Sequence, residues 1–425
     1  MTEATHDLLV RGSAAARVGE EKEARFFLEW LLTLDADNDE RLEAQYWLAK
    51  ISTNPEEKKR LLEEVLSAQP FRLLARREWM ILQGKLSPGE IIDPDNIPAG
   101  KIQVSNANPQ RFVCPQCGGR MVYAPDGASL TCEYCEVKKR QEQGSPDEEG
   151  DFFLSMATLK GHSQPEGQAT FTCQGCGAAF ILSQTDLSIT CPHCKSVYVK
   201  IFPDSDDHIG PSAIFPARIT LQAAKNIIQQ WLIEQNDDRK HLSQELTGIY
   251  LPIWWFSIGG NLHYKYLIPQ KNKPAKVFTH TRPMMQSDVC VPACKHHEDE
   301  VKQIIQAADF KDMLDYTPEY VANWLAETYQ ITLADASLKA RQIGLQREKI
   351  AAGMSIPDTA EDISFSSHEM VVESYQLVLY PIWFAEFCYQ NEKESFAIDA
   401  VYGKVLQRRQ DEPTFWERLM KFGRD

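Results

Sequence analysis

The sequence predicts a multidomain α+β fold with three parts: helical hairpins at the N-terminus, two four-cysteine modules in the middle, and an antiparallel α+β module with a duplicated β element. Three internal repeats predict these parts. The first relates two leucine-rich segments near the N-terminus, the second repeats a group of four cysteines at the same spacing, and the third repeats a Pro-Ile-Trp string. Each repeat indicates that one structural unit occurs twice.

The composition is that of a globular protein with about three domains. The chain has 425 residues, of which 43% are hydrophobic and 25% charged, and a domain holds roughly 150 residues. Composition changes separate helical repeats, a linker, module 1, a second linker, module 2, an α+β domain and a C-terminal tail. Their expected bounds are, in that order, 1–86, 87–109, 110–140, 141–168, 169–202, 211–410 and 411–425.

The N-terminal segment repeats at a fixed offset. Residues 28–32 match residues 62–66, and Ala15 matches Ala49. This offset resembles that of the tetratricopeptide repeat, which has a period of about 34 residues and in which paired helices stack into a surface that binds peptides. About two repeats are present, followed by a closing helix near residues 71–83. A plain helical bundle is the alternative, because any amphipathic helix pair spaces its leucines in this way.

Eight cysteines in the middle of the chain form two quartets with the same spacing. Module 1 contributes Cys114, Cys117, Cys132 and Cys135, and module 2 contributes Cys173, Cys176, Cys191 and Cys194. Four thiolates at this spacing are typical of a zinc ribbon, so we expect two structural Zn²⁺ ions without an open coordination position. Redox Cys-x-x-Cys motifs occur singly, and iron–sulfur sites use other spacings, which disfavours both alternatives.

Zinc ribbons often bind nucleic acid, but the charge of this region disfavours that role. The whole chain has a net charge of −15. Residues 101–202 contain nine Lys or Arg and ten Asp or Glu, and 9 − 10 gives −1. Each tetrathiolate zinc centre would add about −2, because four thiolates outweigh one divalent ion. A phosphate-binding face would need a local excess of positive charge.

The C-terminal half alternates aromatic-rich strands with helices. Residues 250–256 predict a strand, and Gly259-Gly260 predicts a hairpin turn after it. Helices are expected near residues 298–308, 318–330 and 333–351. A second aromatic string at residues 379–384 begins an antiparallel meander that ends near residue 407. The shared Pro-Ile-Trp sequence of the two strings predicts a duplicated β element.

Further features occur in a characteristic order after the two cysteine quartets. They are Ile214-Phe215-Pro216, a helix that ends at Trp231, the string at residues 248–254, and the turn at residues 401–405. This order resembles a family of uncharacterised bacterial double zinc-ribbon proteins that are sometimes labelled primosomal-helicase-like. The resemblance covers about residues 110–410 and implies two zinc ribbons followed by an α+β domain. It does not imply helicase activity, because the chain has no Gly-x-x-x-x-Gly-Lys-Ser/Thr phosphate loop.

A second ligand-like cluster lies between the expected strands. A third metal could be held by Cys290, Cys294, His296 and His297. The favoured interpretation is a pair of partly buried thiols beside a surface histidine pair at a helix start.

Three tryptophans could also line a ligand site. They are Trp254, Trp255 and Trp383. Such residues more often fill a core, although neighbours in a strand face opposite ways, so one of Trp254 and Trp255 could be exposed.

The sequence predicts a zinc-binding adaptor or scaffold without enzymatic activity, whose partners are proteins of unknown identity. No hydrolase, metalloprotease or dinucleotide motif occurs, so no catalytic or cofactor-binding residue is predicted. The alternatives are a nucleic-acid-binding accessory factor that uses the zinc ribbons, and an enzyme of unknown reaction in the C-terminal half. The apolar runs are too short for a membrane helix, and the acidic N-terminus lacks a signal-peptide core. We therefore expect a cytoplasmic protein, where paired cysteines serve as metal ligands.

Overall fold

The computed structural model describes most of the residues of the chain. They are 3–70, 72–91, 110–111, 114, 116, 121–123, 129–132, 135, 138–140, 149–165, 168–174, 176–183, 185–191, 193–194, 197–200, 208–234, 245–271, 273–307, 312–321, 324–367, 369–389 and 392–406. The predicted C-terminal tail and most of the first linker lie outside them. The described residues form an α+β protein with N-terminal helices, two small sheets and one large mixed sheet.

Five helices form the N-terminal layer. They are α1 (Glu3–Val18), α2 (Glu21–Thr33), α3 (Asn38–Ile51), α4 (Pro55–Ala68) and α5 (Leu73–Leu82). The starts of α2 and α4 differ by 55 − 21 = 34 positions, which equals the sequence offset 62 − 28 = 34, so the helices follow the repeat. Asp37 and Asn54 cap α3 and α4 by accepting backbone N–H groups, and Pro55 occupies the first turn of α4.

The helical layer has its own apolar core. Leu28 and Leu62, which are equivalent in the repeat, are both fully buried. The central helix α3 contacts α1, α2 and α4. Arg25 of α2 donates two hydrogen bonds to Glu57 of α4, at 2.8 and 3.0 Å. These contacts join the two helical hairpins into one packed layer.

The two cysteine modules are built from short strands. Module 1 contains β1 (Gln110–Arg111), β2 (Met121–Tyr123), β3 (Ser129–Cys132) and β4 (Lys138–Arg140). The second predicted linker contains β5 (Gly150–Asp151) and α6 (Phe152–Ala157). Module 2 contains β6 (Gln168–Thr172), β7 (Ala179–Ser183), β8 (Asp186–Thr190) and β9 (Val197–Val199). In α6, Phe152 is buried and the Ser155 hydroxyl lies 2.7 Å from that of Tyr375.

The C-terminal half contributes the long strands of the large sheet. Its elements are β10 (Ala213–Ile214), α7 (Leu221–Glu234), β11 (Glu245–Gln270), β12 (Lys273–Pro292), α8 (Glu298–Ala307), β13 (Leu314–Asp315), β14 (Leu325–Glu327), α9 (Leu333–Gly353), β15 (Glu361–Ser366), β16 (Val371–Tyr389), β17 (Glu392–Asp399) and β18 (Val405–Leu406). The main strand order is β1-β9-β8-β14-β11-β16-β10-β13. The strands β12 and β15 pair with β11, while β5 and β17 pair with β16.

The sheet is mixed, so the prediction of an antiparallel module is wrong in part. The long strands β11 and β16 pair antiparallel, but β14 runs parallel to β11 and β10 runs parallel to β16. Each short strand pairs with the long strand of the other half of the duplicated unit. This exchange between the halves is the reason for the parallel pairs.

The duplicated β element has a local two-fold symmetry. Leu251 pairs directly with Tyr380, and 380 − 251 = 129 is also the spacing between Pro252 and Pro381 of the two Pro-Ile-Trp strings. Tyr250 accordingly pairs with Pro381, and Pro252 pairs with Leu379. A pseudo-two-fold axis therefore passes through the Leu251–Tyr380 pair and relates β11 to β16.

The repeated unit is larger than the β element. Each copy consists of a short strand, a capped helix, a long strand and a hairpin partner. Before the two helices stand Ile219-Thr220-Leu221 and Ile331-Thr332-Leu333. Thr220 and Thr332 each accept a backbone N–H three residues later, so both act as N-caps. The sequence repeat thus extends to the helix starts.

Equivalent tryptophans join the two copies of this unit. The indole Nε1 of Trp254 donates to the carbonyl oxygen of Ile331 at 2.8 Å. The indole Nε1 of Trp383 donates to the carbonyl oxygen of Ile219, also at 2.8 Å. Each tryptophan thereby holds the segment that precedes the helix of the other copy.

Two local predictions for this half are wrong. Gly259 and Gly260 lie within β11 and pair with β12, and the chain turns between Gln270 and Lys273. Gly260 has a φ of +125°, and a Cβ there would lie 2.1 Å from the carbonyl oxygen of Glu369. This glycine therefore permits close backbone approach and does not form a turn.

The helix expected over residues 318–330 is also absent from the described part of that segment. Residues Pro318–Val321 form one 3₁₀ turn, and β14 follows. Leu325 and Ala326 lie in the sheet because β14 pairs with both β8 and β11. Short apolar runs do not distinguish strand from helix by themselves, so tertiary pairing decides this segment.

Candidate metal centre

Module 2 brings its four cysteines together. The sulfur atoms of Cys173, Cys176, Cys191 and Cys194 all lie within 4.8 Å of one another. The hairpin of β6 and β7 supplies the first two thiols, and the hairpin of β8 and β9 supplies the other two. Two of the thiols are buried and two are exposed. The group could hold a metal ion that is accessible from one side.

Module 1 repeats this arrangement as far as the structure describes it. The sulfur atoms of Cys114, Cys132 and Cys135 lie within 4.8 Å of one another. The predicted fourth ligand, Cys117, lies outside the described residues. Within the described part of the chain, these two cysteine groups are the ones with three or more mutually close metal-ligand atoms.

The sulfur spacing fits metal coordination and does not fit disulfides. The Sγ–Sγ distances are 3.5 Å for Cys173–Cys194, 3.8 Å for Cys176–Cys191 and 3.5 Å for Cys114–Cys135. A tetrahedral ion with metal–sulfur bonds of about 2.3 Å separates its ligands by about 3.8 Å, whereas a disulfide bond is about 2.05 Å long. The cysteines are free thiols placed at the edge length of a coordination tetrahedron.

A tight turn places the first two thiols of module 2. Gly177 has a φ of +76°, and its N–H donates to the carbonyl oxygen of Cys173 at 2.8 Å. The N–H of Cys173 in turn donates to the carbonyl oxygen of Ala178 at 2.8 Å. Glycine adopts this left-handed conformation without the steric cost that other residues incur. The Cys-x-x-Cys-Gly sequence therefore folds locally into a bend that aims both sulfurs at one point.

Four crowded thiols need a cation in order to ionise together. The Ala178 N–H lowers the pKa of Cys176, but burial and the neighbouring thiols Cys173, Cys191 and Cys194 outweigh it and raise this pKa to about 12. A divalent cation reverses this effect, because coordinated thiols lose their protons. The site therefore suits a tightly held cation, and its four thiols leave no open position for catalysis.

Tyr198 is a contact that the sequence analysis did not identify. Its hydroxyl lies 3.1 Å from the sulfur of Cys173, and its side chain is fully buried. The ring also packs against Phe171, with 4.9 Å between the ring centroids. Such outer hydrogen bonds orient and tune metal ligands. In the sequence repeat that relates the two modules, the residue equivalent to Tyr198 is Lys139. This difference between the modules, close to a candidate ligand, is the sequence signal that could have identified Tyr198.

The second ligand-like cluster does not form a site of this kind. Cys290 and Cys294 are buried, and burial raises the pKa of Cys290 to about 12 and raises that of Cys294 well above its ordinary value. The buried ring of His297 packs against Phe384 at 4.6 Å, and its Nδ1 lies 3.9 Å from Glu300. In the described part of the chain these thiols and histidines form no metal-ligand group.

The three tryptophans use their polar atoms within the chain. Trp254 is fully buried, and its N–H and that of Trp383 hold the two copies of the repeat together. Trp255 is half-buried and donates its N–H to Ser287 on the neighbouring strand β12. All three indole donors stabilise the fold.

The comparisons with known proteins give one distant similarity of note. The chain is 22% identical over 331 residues to a protein of Bacillus subtilis (strain 168) named Uncharacterized protein YdjG. The aligned part is 69% of this chain and 88% of the relative. No family model matches the chain, and no solved structure matches it. The name of the relative states no activity, so function has to be inferred from the residues of this chain.

No helix among the described residues has both the length and the apolar character needed to cross a bilayer.

Proposed function

We propose that this protein is a non-enzymatic zinc-binding scaffold that holds protein partners on its N-terminal helices. The observation that carries the proposal is an exposed aromatic pair on α2. Phe26 is 60% exposed and Trp30 is 49% exposed, with 5.8 Å between their ring centroids. Aromatic side chains dominate the binding energy of many protein interfaces. Since Leu28 and Leu31 of the same helix fill the core, the aromatic pair is not needed there.

The helical layer supports this role by its regularity. Its helical hairpins recur at the offset that resembles the tetratricopeptide repeat, a class that binds peptides on its stacked helices. Two such hairpins and α5 are present in this chain. We expect a short peptide or a single helix of a partner to bind this surface.

Zinc is the proposed metal of both modules. Tetrahedral sites with four sulfur ligands suit zinc or iron–sulfur clusters. The spacing of the cysteines is that of zinc ribbons and differs from the common cluster motifs. We propose a cytoplasmic location, where thiols remain reduced and available as ligands.

Metal analysis of the purified full-length protein tests this part of the proposal. We expect about two zinc ions per chain, released by a strong chelator with loss of structure in both modules. Replacement by Co²⁺ should produce the visible absorption of a tetrahedral thiolate site. Iron together with acid-labile sulfide would overturn the assignment to zinc.

Partner binding is tested in cells that naturally express the protein. Full-length wild type is compared with Phe26→Ala/Trp30→Ala by cross-linking and quantitative mass spectrometry. The control is Ile350→Ala/Met354→Ala, which removes another exposed apolar pair of the same sequence spacing, at the end of α9. We expect the recovered amount of at least one partner to fall about tenfold or more with the first variant only, as for the loss of an interface hot spot. Equal recovery with all three proteins would contradict the proposal.

A further inference from the structure

The long hairpin of β11 and β12 carries positive charge in an otherwise acidic protein. The whole chain has a net charge of −15, yet residues 246–287 contain no Asp or Glu. They contain five basic residues: Lys265, Lys271, Lys273, Lys276 and Arg282. A local basic element of this kind can bind polyanions regardless of the net charge of the chain.

The outer part of this hairpin, residues 260–284, extends beyond the end of the neighbouring strand β16 and is called the arm. Its strands remain paired up to Gln270 and Lys273. The additional strand β15 follows β11 only as far as Leu267. Beyond Leu267 and its partner Val277, the described arm is therefore a two-stranded ribbon. Val277 is 58% exposed, as expected for an uncovered ribbon.

The acidic residues near the arm lie at its other edge on β15, at its base, where Glu369 contacts Asn261 and His263, or are already paired with a cation. β15 places Glu361 beside Leu267, on the side of β11 opposite to β12. Glu348 of α9 is bound to Arg282 at 3.1 Å, so we do not count Arg282 as available. The exposed cations on the arm and at its tip are Lys265, Lys271 and Lys276, of which Lys276 has its Nζ 4.8 Å from the centroid of the Phe278 ring.

Stacked aromatic rings keep the arm extended. The ring of Tyr266 lies nearly parallel to those of Phe278 and His280, with centroids 5.4 and 5.5 Å apart. Tyr264 stacks on His280 at 5.2 Å. An isolated two-stranded hairpin is only marginally stable in water, and cross-strand aromatic pairs stabilise it. The arm therefore presents its lysines from a preformed ribbon.

The open face of the arm combines positive charge with hydroxyl groups. Lys265 is directly opposite Thr279 on β12 and Ser364 on β15. Residues in register on neighbouring strands point to the same face. All three side chains are exposed. Lysine ammonium groups and Ser or Thr hydroxyl groups are among the side-chain donors that contact phosphate oxygens.

We infer that the arm binds duplex DNA, with its two-stranded ribbon in the major groove and Lys265, Lys271 and Lys276 on the phosphate backbone. Charge complementarity selects a polyanion. The major groove of B-DNA admits a two-stranded β-ribbon, whereas the corresponding groove of duplex RNA is too narrow. The aromatic rings are stacked on one another, which leaves them poorly placed to stack on the bases of a single strand.

Salt dependence of binding measures the number of phosphate contacts. The full-length, zinc-loaded protein is titrated into a fluorescent DNA duplex of about 20 base pairs at 50 to 200 mM NaCl. Three phosphate contacts predict a slope of about −2.7 for log K against log salt, or about a 40-fold loss of affinity over this range. The variant Lys265→Gln/Lys271→Gln/Lys276→Gln should lose this salt-dependent binding.

A matched control variant distinguishes the effect of the arm lysines from the effect of a change in net charge. The variant Lys22→Gln/Lys59→Gln/Lys85→Gln removes three exposed lysines from the helical layer and changes the net charge equally. We expect it to bind like wild type. Any of four results would overturn the inference: no binding at 50 mM NaCl, equal weakening by both variants, arm-dependent binding that is tighter to single-stranded DNA, or binding to poly-glutamate without binding to DNA.

Discussion

Two of the three duplications lie in neighbouring regions of the chain, and they have different structural outcomes. In the C-terminal half, the two copies of the strand–helix–strand unit pack against each other, and equivalent residues make equivalent contacts. Trp254 and Trp383 each donate to the carbonyl oxygen before the helix of the other copy, at the same distance of 2.8 Å. Here repetition in sequence is matched by symmetry in structure.

The two cysteine modules share their ligand spacing but differ in their surroundings. In module 1, β1 is an edge strand of the large sheet, but β2, β3 and β4 form a separate three-stranded sheet. In module 2, β8 and β9 belong to the large sheet, where Leu187 and Val199 share a core with Tyr250 and Leu379. Copies that contact each other keep equivalent roles, while copies that contact different neighbours do not. A metal ion bound by module 2 would therefore be coupled to the main sheet.

The largest expected effect is an unequal response to the loss of one thiol in each module. Cys191→Ser should destabilise the large sheet by several kcal/mol, because zinc binding contributes directly to folding and β8 leads into this cysteine. Cys132→Ser should affect mainly β2, β3 and β4. Hydrogen exchange and urea unfolding measure the difference, and metal analysis should find about one zinc ion left in each variant.

The comparison between modules fails if the two serine variants behave alike. Equal loss of protection in β14 would show that both metals are coupled to the sheet. Retention of protection in β8 and β14 by Cys191→Ser would show that the metal of module 2 is not coupled to the sheet.

The symmetry of the α+β half predicts that Trp254→Phe and Trp383→Phe both destabilise it. Each change removes an indole donor and leaves a carbonyl oxygen without that partner, which costs about 1–3 kcal/mol. Trp254 is fully buried, so the smaller ring should add about 1 kcal/mol for lost packing. Unfolding followed by circular dichroism gives both values. A neutral effect of either substitution would break the proposed equivalence of the two copies.

The pH dependence of stability should differ between the modules because of Asp186 in β8. Burial is the main cause that raises the pKa of Asp186 to about 6, against opposing contributions from the Ser183 N–H and Lys200. The folded state then binds more protons than the unfolded state between about pH 4 and 6, so stability falls as pH rises through this range. The equivalent position in module 1 is Gly127, which has no titratable group.

Asp186→Asn tests this assignment. The amide oxygen can still accept the Ser183 N–H, and the buried charge is removed. We expect the variant to be more stable than wild type by about 2 kcal/mol at pH 8, with the difference vanishing near pH 4. Urea unfolding across this range, with zinc content checked at each pH, measures it. A variant that is less stable at pH 8 would contradict the raised pKa.

The smallest expected effect concerns the tyrosine that contacts a ligand of module 2. Tyr198→Phe keeps the ring that packs on Phe171 and removes the hydroxyl 3.1 Å from Cys173. Loss of an outer hydrogen bond of this kind lowers metal affinity by about tenfold. Competition with a chromogenic chelator should show a lower zinc affinity at one of the two sites. If both zinc affinities are unchanged, the Tyr198 hydroxyl does not tune the metal site.

Local patterns in the sequence determined which residues gather and which helices form. The Cys-x-x-Cys turns and the hairpins between them are close along the chain, so their spacing alone predicts that the sulfurs of Cys173 and Cys191 meet. The N-terminal repeat likewise predicted paired helices at a constant offset, because the burial of Leu28 and Leu62 follows from the helical periodicity of apolar residues. These features depend on short-range geometry.

Tertiary structure alone decided which strands pair and what role a residue such as Gly260 has. Backbone hydrogen bonds between distant strands carry no residue code, so the sequence did not distinguish β14 from a helix or place Gly260 within a strand. The joining of β8 and β9 to the large sheet and the extension of the arm beyond Leu267 arise from the same long-range pairing. They depend on which surfaces remain uncovered once the chain has packed, and that is a property of the whole fold.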